Sequence, residues 1–158
     1  GRKKIALVTT VDYVSVGKLR TDGYIKALLD NGISFDENLI IKIEDIDTCE
    51  ITIGKLLEDK AIDAVFAVNE LFAVTIIKTA NKIGLNVPKD LAVIAFTDGM
   101  ISKYSTPTIT TVSQNGIKMG NKSAKMLIER LESEENEEDE NYKTEIIETH
   151  LIERESTN

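Results

Sequence analysis

Short apolar runs alternate with longer amphipathic stretches through the first two thirds of the chain. Residues 4–9 (KIALVT) are apolar between polar neighbours, the pattern of a buried strand. Residues 16–31 place Val16, Leu19, Gly23, Tyr24, Ala27 and Leu28 on one helical stripe, with Gly32 positioned to close the helix. A second strand is predicted at 38–43 (NLIIKI). A helix follows at 48–59, carrying Ile53, Leu56 and Leu57 and capped by Thr48 or Asp47. Residues 63–68 (DAVFAV) read as a third strand and 70–83 as a helix ended by Gly84. Pro88 and Asp90 then lead into a strand at 91–96 (LAVIAF). Strands of this kind alternating with helices imply an α/β fold, a parallel sheet with helices on both faces and right-handed crossovers. After residue 97 the regularity breaks. Residues 98–115 are polar, with Gly99 and Pro107. Residues 116–131 form an amphipathic helix with Ile117, Gly120, Ala124, Leu127, Ile128 and Leu131 on one stripe, and 144–152 (TEIIETHLI) is strand-like.

Composition narrows the function classes. The 158 residues, 42% hydrophobic and 29% charged, suit one domain with a real core rather than two full-size ones. No apolar run approaches the roughly 18–20 residues a spanning helix needs, so no membrane partner is expected. The net charge of −8 weighs against nucleic-acid binding by this chain itself, and Arg2, Lys3 and Lys4 are too few to form a footprint. The run Glu132 to Glu140 (ESEENEEDE) reads as a solvated acidic loop. A single cysteine, Cys49, and a single histidine, His150, leave no internal disulfide, no zinc set and no Ser-His-acid triad, and suit a reducing cytosol. No GxGxxG, GxxxxGK[ST] or GxSxG motif occurs, so nothing argues for an enzyme or calls for a cofactor. Asn121-Lys122-Ser123 matches a glycosylation acceptor inside a predicted helix and is read as chance. An opening at Gly1 with a short basic run that leads straight into the apolar run Ile5 to Val8, with neither initiator Met nor signal peptide, reads as a piece of a longer chain.

In a doubly wound sheet, ligands gather at the carboxyl ends of the strands, here residues 10–20, 43–48, 69–71 and 97–104. Arg20 lies one turn before Tyr24, near its helix N-terminus. It suits bidentate bonds to a ligand's vicinal hydroxyls or carboxylates, or else a structural ion pair. Asn69 and Glu70 follow the third strand. Asn69 can cap the next helix and Glu70 can favour its dipole, while the carboxylate can equally accept hydrogen bonds from ligand hydroxyls; the two roles are compatible. Asp98 carries the same two readings, as do Glu44, Asp45 and Asp47 with less specificity. Asp12 and Tyr13 offer a hydrogen bond and a stacking surface, or an ordinary surface loop.

Several segments, in order, resemble the lactose-repressor/galactose-repressor family of transcription regulators. The family's "AND" tripeptide reads Val68-Asn69-Glu70 here. Its "GL-x-VP-x-D" turn is Gly84 to Asp90, and its "GFDD" is Ala95-Phe96-Thr97-Asp98. "P-x-LTTV-x-Q" becomes Pro107 to Gln114, and the closing "RES" is Arg154-Glu155-Ser156. GRKKIALV (1–8) is similar to the opening of the family's second subdomain, and Lys18 to Tyr24 to its "R-x-R-x-x-G-(F/Y/W)" helix. The resemblance implies the fold of type I periplasmic binding proteins, two α/β subdomains around an effector cleft. It makes residues 1–112 with 143–158 the C-terminal subdomain, 113–133 a helix belonging to an absent N-terminal subdomain, and 134–142 the acidic loop. The helix-turn-helix DNA-binding domain is absent from this chain.

By the same resemblance the function is effector sensing and dimerisation within a cytoplasmic DNA-binding repressor, acting by effector-dependent closure. The effector is expected to be a carbohydrate, the chain to pair as a homodimer, and operator DNA to be met only through the missing domain. An exported solute-binding protein of the same fold is the alternative. The expected effector residues are Arg20, Glu70, Asn69, Asp98, Tyr13 and Asp45. Glu70 stands where the family has Asp, which moves the charge by about 1.5 Å. Two further expectations follow. The 116–131 stripe, without its natural partner, should pack on a second copy, swap, or fold back on its own chain. Phe72 and Ile76, on the 70–83 helix, become candidate dimer contacts.

Overall fold

A computed structural model describes residues 1–11, 15–58, 61–132 and 142–158. Among them the chain runs β1 (Ile5–Thr10), α1 (Ser15–Asp30), β2 (Ile40–Ile43), α2 (Cys49–Leu57), β3 (Ala64–Ala67), α3 (Glu70–Lys82) and β4 (Ala92–Phe96). It continues with α4 (Met100–Tyr104), β5 (Thr110–Ser113), α5 (Gly116–Glu132) and β6 (His150–Ile152). The strands form one six-stranded sheet in the order β2-β1-β3-β4-β5-β6, parallel except for the antiparallel β5–β6 pair. The expected α/β architecture is the one observed. Gly32 and Gly84 close α1 and α3 with φ of +66° and +82°, backbone that favours glycine.

Side-chain alternation assigns the two faces. Val65, Ala67, Val93 and Ala95 are buried with Phe72, Ala73, Ile76 and Ile77 of α3 in the core. Phe72 and Ile76 are 3% and 0% exposed, so they are core and not dimer contacts. The opposite face carries Leu7, Phe66 and Ile94 in register across β1, β3 and β4. Leu7 is buried there, but Phe66, Ile94, Phe96 and Val112 stay partly open and floor a groove of about 960 Å³, walled by α1 from Val16 to Leu28.

The segment predicted to be irregular, 98–115, holds α4 and β5. The strand predicted at 144–152 shrinks to β6. Residues 133–141, nearly all of the acidic loop, lie outside the described residues. The closing Arg154-Glu155-Ser156 stitches the C-terminus to the sheet. Ser156 Oγ donates to Val93 O at 2.5 Å and accepts from Thr110 N at 2.8 Å. Glu155 accepts from Thr108 N at 2.8 Å. α5 buries none of its residues, with Ile117 85% and Leu131 76% exposed, so the fold-back option is not taken.

Candidate functional site

Arg20 rises from the first turns of α1 and reaches across to the carboxyl ends of β3 and β4. Its Nη1 donates to Val68 O at 3.1 Å, and its guanidinium carbon lies 4.3 Å from the centroid of the Phe96 ring. The partners of Arg20 among the described residues are therefore a carbonyl and an aromatic face, not a carboxylate. That arrangement holds the planar guanidinium in one pose, with no carboxylate among the described residues to neutralise its charge. Burial lowers its pKa from the ordinary arginine value, the expected sign for a cation partly withdrawn from water.

Beside it a pocket of about 440 Å³ opens at the carboxyl ends of β1 and β2. Thr10, Val11, Val16, Gly17, Ile43 and Glu44 line it together with Arg20. It offers a cation, a carboxylate and a hydroxyl within one small volume. This is the donor-and-acceptor mixture a polyhydroxyl ligand requires. The larger groove also touches Arg20, but it runs the length of the bare sheet face to Gly1, Arg2 and Lys3 and is mainly apolar. Its shape and lining suit a packed protein segment rather than a small polar ligand.

The other expected residues are placed differently. Asn69 caps α3, accepting from Phe72 N at 2.8 Å. Glu70 Oε1 accepts from Gly99 N at 2.7 Å and from Ser102 N at 2.9 Å. Asp98 accepts from Arg154 Nη2 at 2.5 Å and Thr111 Oγ1 at 3.0 Å, with Lys103 Nζ at 3.4 Å. Asp45 caps the short turn Ile46–Thr48, accepting from Asp47 N at 2.9 Å, and is not among the residues that line the pocket. Tyr13, with Asp12, lies outside the described residues. Arg20 thus opens onto the strand ends, while the carboxylates of Glu70 and Asp98 make bonds to their own scaffold.

Sequence reasoning passed over three participants. The sequence marks Phe96 only as a strand and motif residue, and Thr97 and Arg154 only as motif letters. Thr97 has φ of +82°, a left-handed backbone that a β-branched residue rarely adopts. Its N–H donates to Val112 O at 2.9 Å, and Gln114 Nε2 donates to its Oγ1 at 2.7 Å. Strain of this kind concentrates at functional sites.

A mostly parallel sheet flanked by helices, with a pocket at the strand carboxyl ends, is the architecture of a binding-protein-type α/β domain. The chain belongs to the periplasmic binding protein-like domain family, whose model matches residues 1–157. Its relatives include transcription regulators. It is 40% identical over 150 residues to the helix-turn-helix-type transcriptional regulator MalR of Clostridium butyricum, covering 92% of this chain and 43% of the relative. The solved structure of a transcriptional regulator CelR–cellobiose complex superposes with a TM-score of 0.87 at 30% identity, over 99% of this chain and 47% of that one. A regulatory protein of the LacI family from Chloroflexus aggregans gives a TM-score of 0.87 at 25% identity, over 100% of this chain and 56% of that one. The chain spans less than half the length of MalR. Among the described residues no helix is long and apolar enough to cross a membrane.

Proposed function

We propose that the chain is the effector-sensing portion of a lactose-repressor-type transcription regulator. Its effector is a carbohydrate, seated at the carboxyl ends of β1 and β2 beside Arg20, whose side chain reaches the ends of β3 and β4. The observation that carries this is Arg20, held by Val68 O and the Phe96 ring on the lining of a pocket that also holds Thr10 and Glu44. The relative solved with cellobiose supports the ligand class. That the relatives are regulators favours this reading over an exported solute-binding protein.

The mechanism is a population shift. An effector that contacts this subdomain and a second one favours one closure state, and closure changes the geometry of paired DNA-binding heads. Operator DNA is met by a separate helix-turn-helix domain, consistent with the net charge of −8 here. The regulator works as a homodimer in the cytoplasm. Leu71 of α3 with Met100, Ile101 and Tyr104 of α4 offers an exposed apolar contact surface for pairing.

Calorimetric titration with cellobiose tests the site. Charge-assisted hydrogen bonds from Arg20 are worth about 1.5–3 kcal/mol, so Arg20→Ala should weaken binding roughly 10- to 100-fold. Affinity unchanged by Arg20→Ala would overturn the assignment. No binding of cellobiose, or of any of a panel of mono- and disaccharides, by the full-length regulator would overturn the carbohydrate class.

A further inference from the structure

Glu70 is the first residue of α3, yet its carboxylate serves a different element. Oε1 accepts both from Gly99 N and from Ser102 N, residues 29 and 32 positions further along the chain. Those amides belong to the segment that leaves β4 and opens α4. The N-cap of α4 is Gly99, which has no side chain to accept a hydrogen bond from the orphan N–H groups of the first turn. Glu70 supplies that acceptor from the start of α3, at the carboxyl ends of the neighbouring strands β3 and β4.

The fit at Gly99 is tight. A Cβ there would fall 2.9 Å from the Glu70 carboxyl carbon and 3.0 Å from Oε1. A side chain at this position would overlap the Glu70 carboxylate and push it aside. Two residues earlier sits Thr97 in its left-handed conformation, and before it Phe96, the ring under Arg20. The turn from 96 to 99 is held on one side by Val112 O and Gln114 and on the other by Glu70.

We propose that Glu70 is a positioning residue. Its carboxylate latches the 96–102 segment and so fixes Phe96, the platform on which the Arg20 guanidinium rests. The role rests on the reading that the effector seats beside Arg20. It also gives a physical meaning to glutamate at this position. An aspartate is shorter by about 1.5 Å and cannot bring one oxygen within hydrogen-bonding distance of both amides.

Amide hydrogen exchange at Gly99 and Ser102, followed by NMR, reads the latch directly. Glu70→Ala and Glu70→Asp should each speed exchange at both amides at least ~10-fold while the amides of β1 and β3 hold their protection. Glu70→Gln, whose amide oxygen still accepts both bonds, should recover the protection. Gly99→Ala should speed exchange at Ser102 to a similar degree. Glu70→Ala/Gly99→Ala should be no worse there than Glu70→Ala, because removing the carboxylate removes the clash. Unchanged exchange in Glu70→Ala, or additive damage in the double variant, would overturn the proposal.

Cellobiose titration of the same set separates positioning from direct ligation. Weakened binding in Glu70→Ala with recovery in Glu70→Gln supports positioning. Glu70→Gln that keeps amide protection but binds as poorly as Glu70→Ala would make Glu70 a ligand and sink the proposal. Failure of the unsubstituted chain to bind cellobiose counts against the carbohydrate reading, and the exchange data then still decide the latch.

Discussion

At the scale of single residues, Asp98 and Arg154 carry the clearest energetic consequence. Their side chains are 11% and 16% exposed and meet at 2.5 Å. Burial alone would raise the Asp98 pKa. The hydrogen bonds from Arg154 and Thr111, with the charges of Arg154 and Lys103, outweigh it and hold the carboxyl below its usual value. A depressed carboxylate contributes stability that is complete above its unfolded pKa of about 3.9 and is lost as pH falls through the folded value. Asp98→Asn should therefore flatten the acid limb of a stability–pH profile below about pH 4, measured by urea unfolding. Arg154→Met strands a nearly buried carboxylate and should cost about 3 kcal/mol or more at pH 7. Asp98 was legible in the sequence as a residue at a strand end. Its partner was not, because 56 positions separate Arg154 from it and no local pattern spans that distance. Arg20 could be singled out for the same reason Asp98 could, since strand ends are readable. That its cradle would be Phe96 and Val68 O could not.

Elements were legible where their period was long and apolar. β1, β3, β4, α1 and α3 fall within a residue or two of their predicted bounds. β5 escaped because Thr110, Thr111 and Ser113 make it look polar. Thr110 and Thr111 are buried all the same, their hydroxyls satisfied by Arg154 O and Asp98. α4 escaped because five residues carry no periodicity, and its cap comes from α3. The cap of α3 itself was readable, and it has a measurable worth. Asn69→Ala removes the bond to Phe72 N and should lower thermal stability by about 1 kcal/mol, with fraying confined to the first turn of α3. Loss of protection spread along the whole helix would contradict a purely local cap.

At the scale of the whole molecule, the described residues leave two apolar surfaces bare besides the α3–α4 patch. One is the α5 stripe of Ile117, Leu127, Ile128 and Leu131; the other is the sheet face floored by Phe66, Ile94, Phe96 and Val112. MalR is more than twice as long as the span it shares with this chain, which is room enough for cover. Alone, the chain should self-associate through these surfaces, because burying each large apolar side chain gains about 1.5–3 kcal/mol. Sedimentation velocity across a concentration series should show association, reduced by Leu127→Asp with Leu131→Asp. A concentration-independent monomer would contradict it. The bare face also poses the sharpest question about function, because the larger cavity is not where the effector is assigned. Titrating cellobiose into isotope-labelled chain and mapping backbone amide shifts decides between the two. Shifts concentrated at Thr10, Gly17, Arg20, Val68 and Thr97 are predicted. Shifts concentrated at Ile5, Gly23, Phe66 and Ile94 would place the ligand in the groove and contradict an effector seat at the strand carboxyl ends.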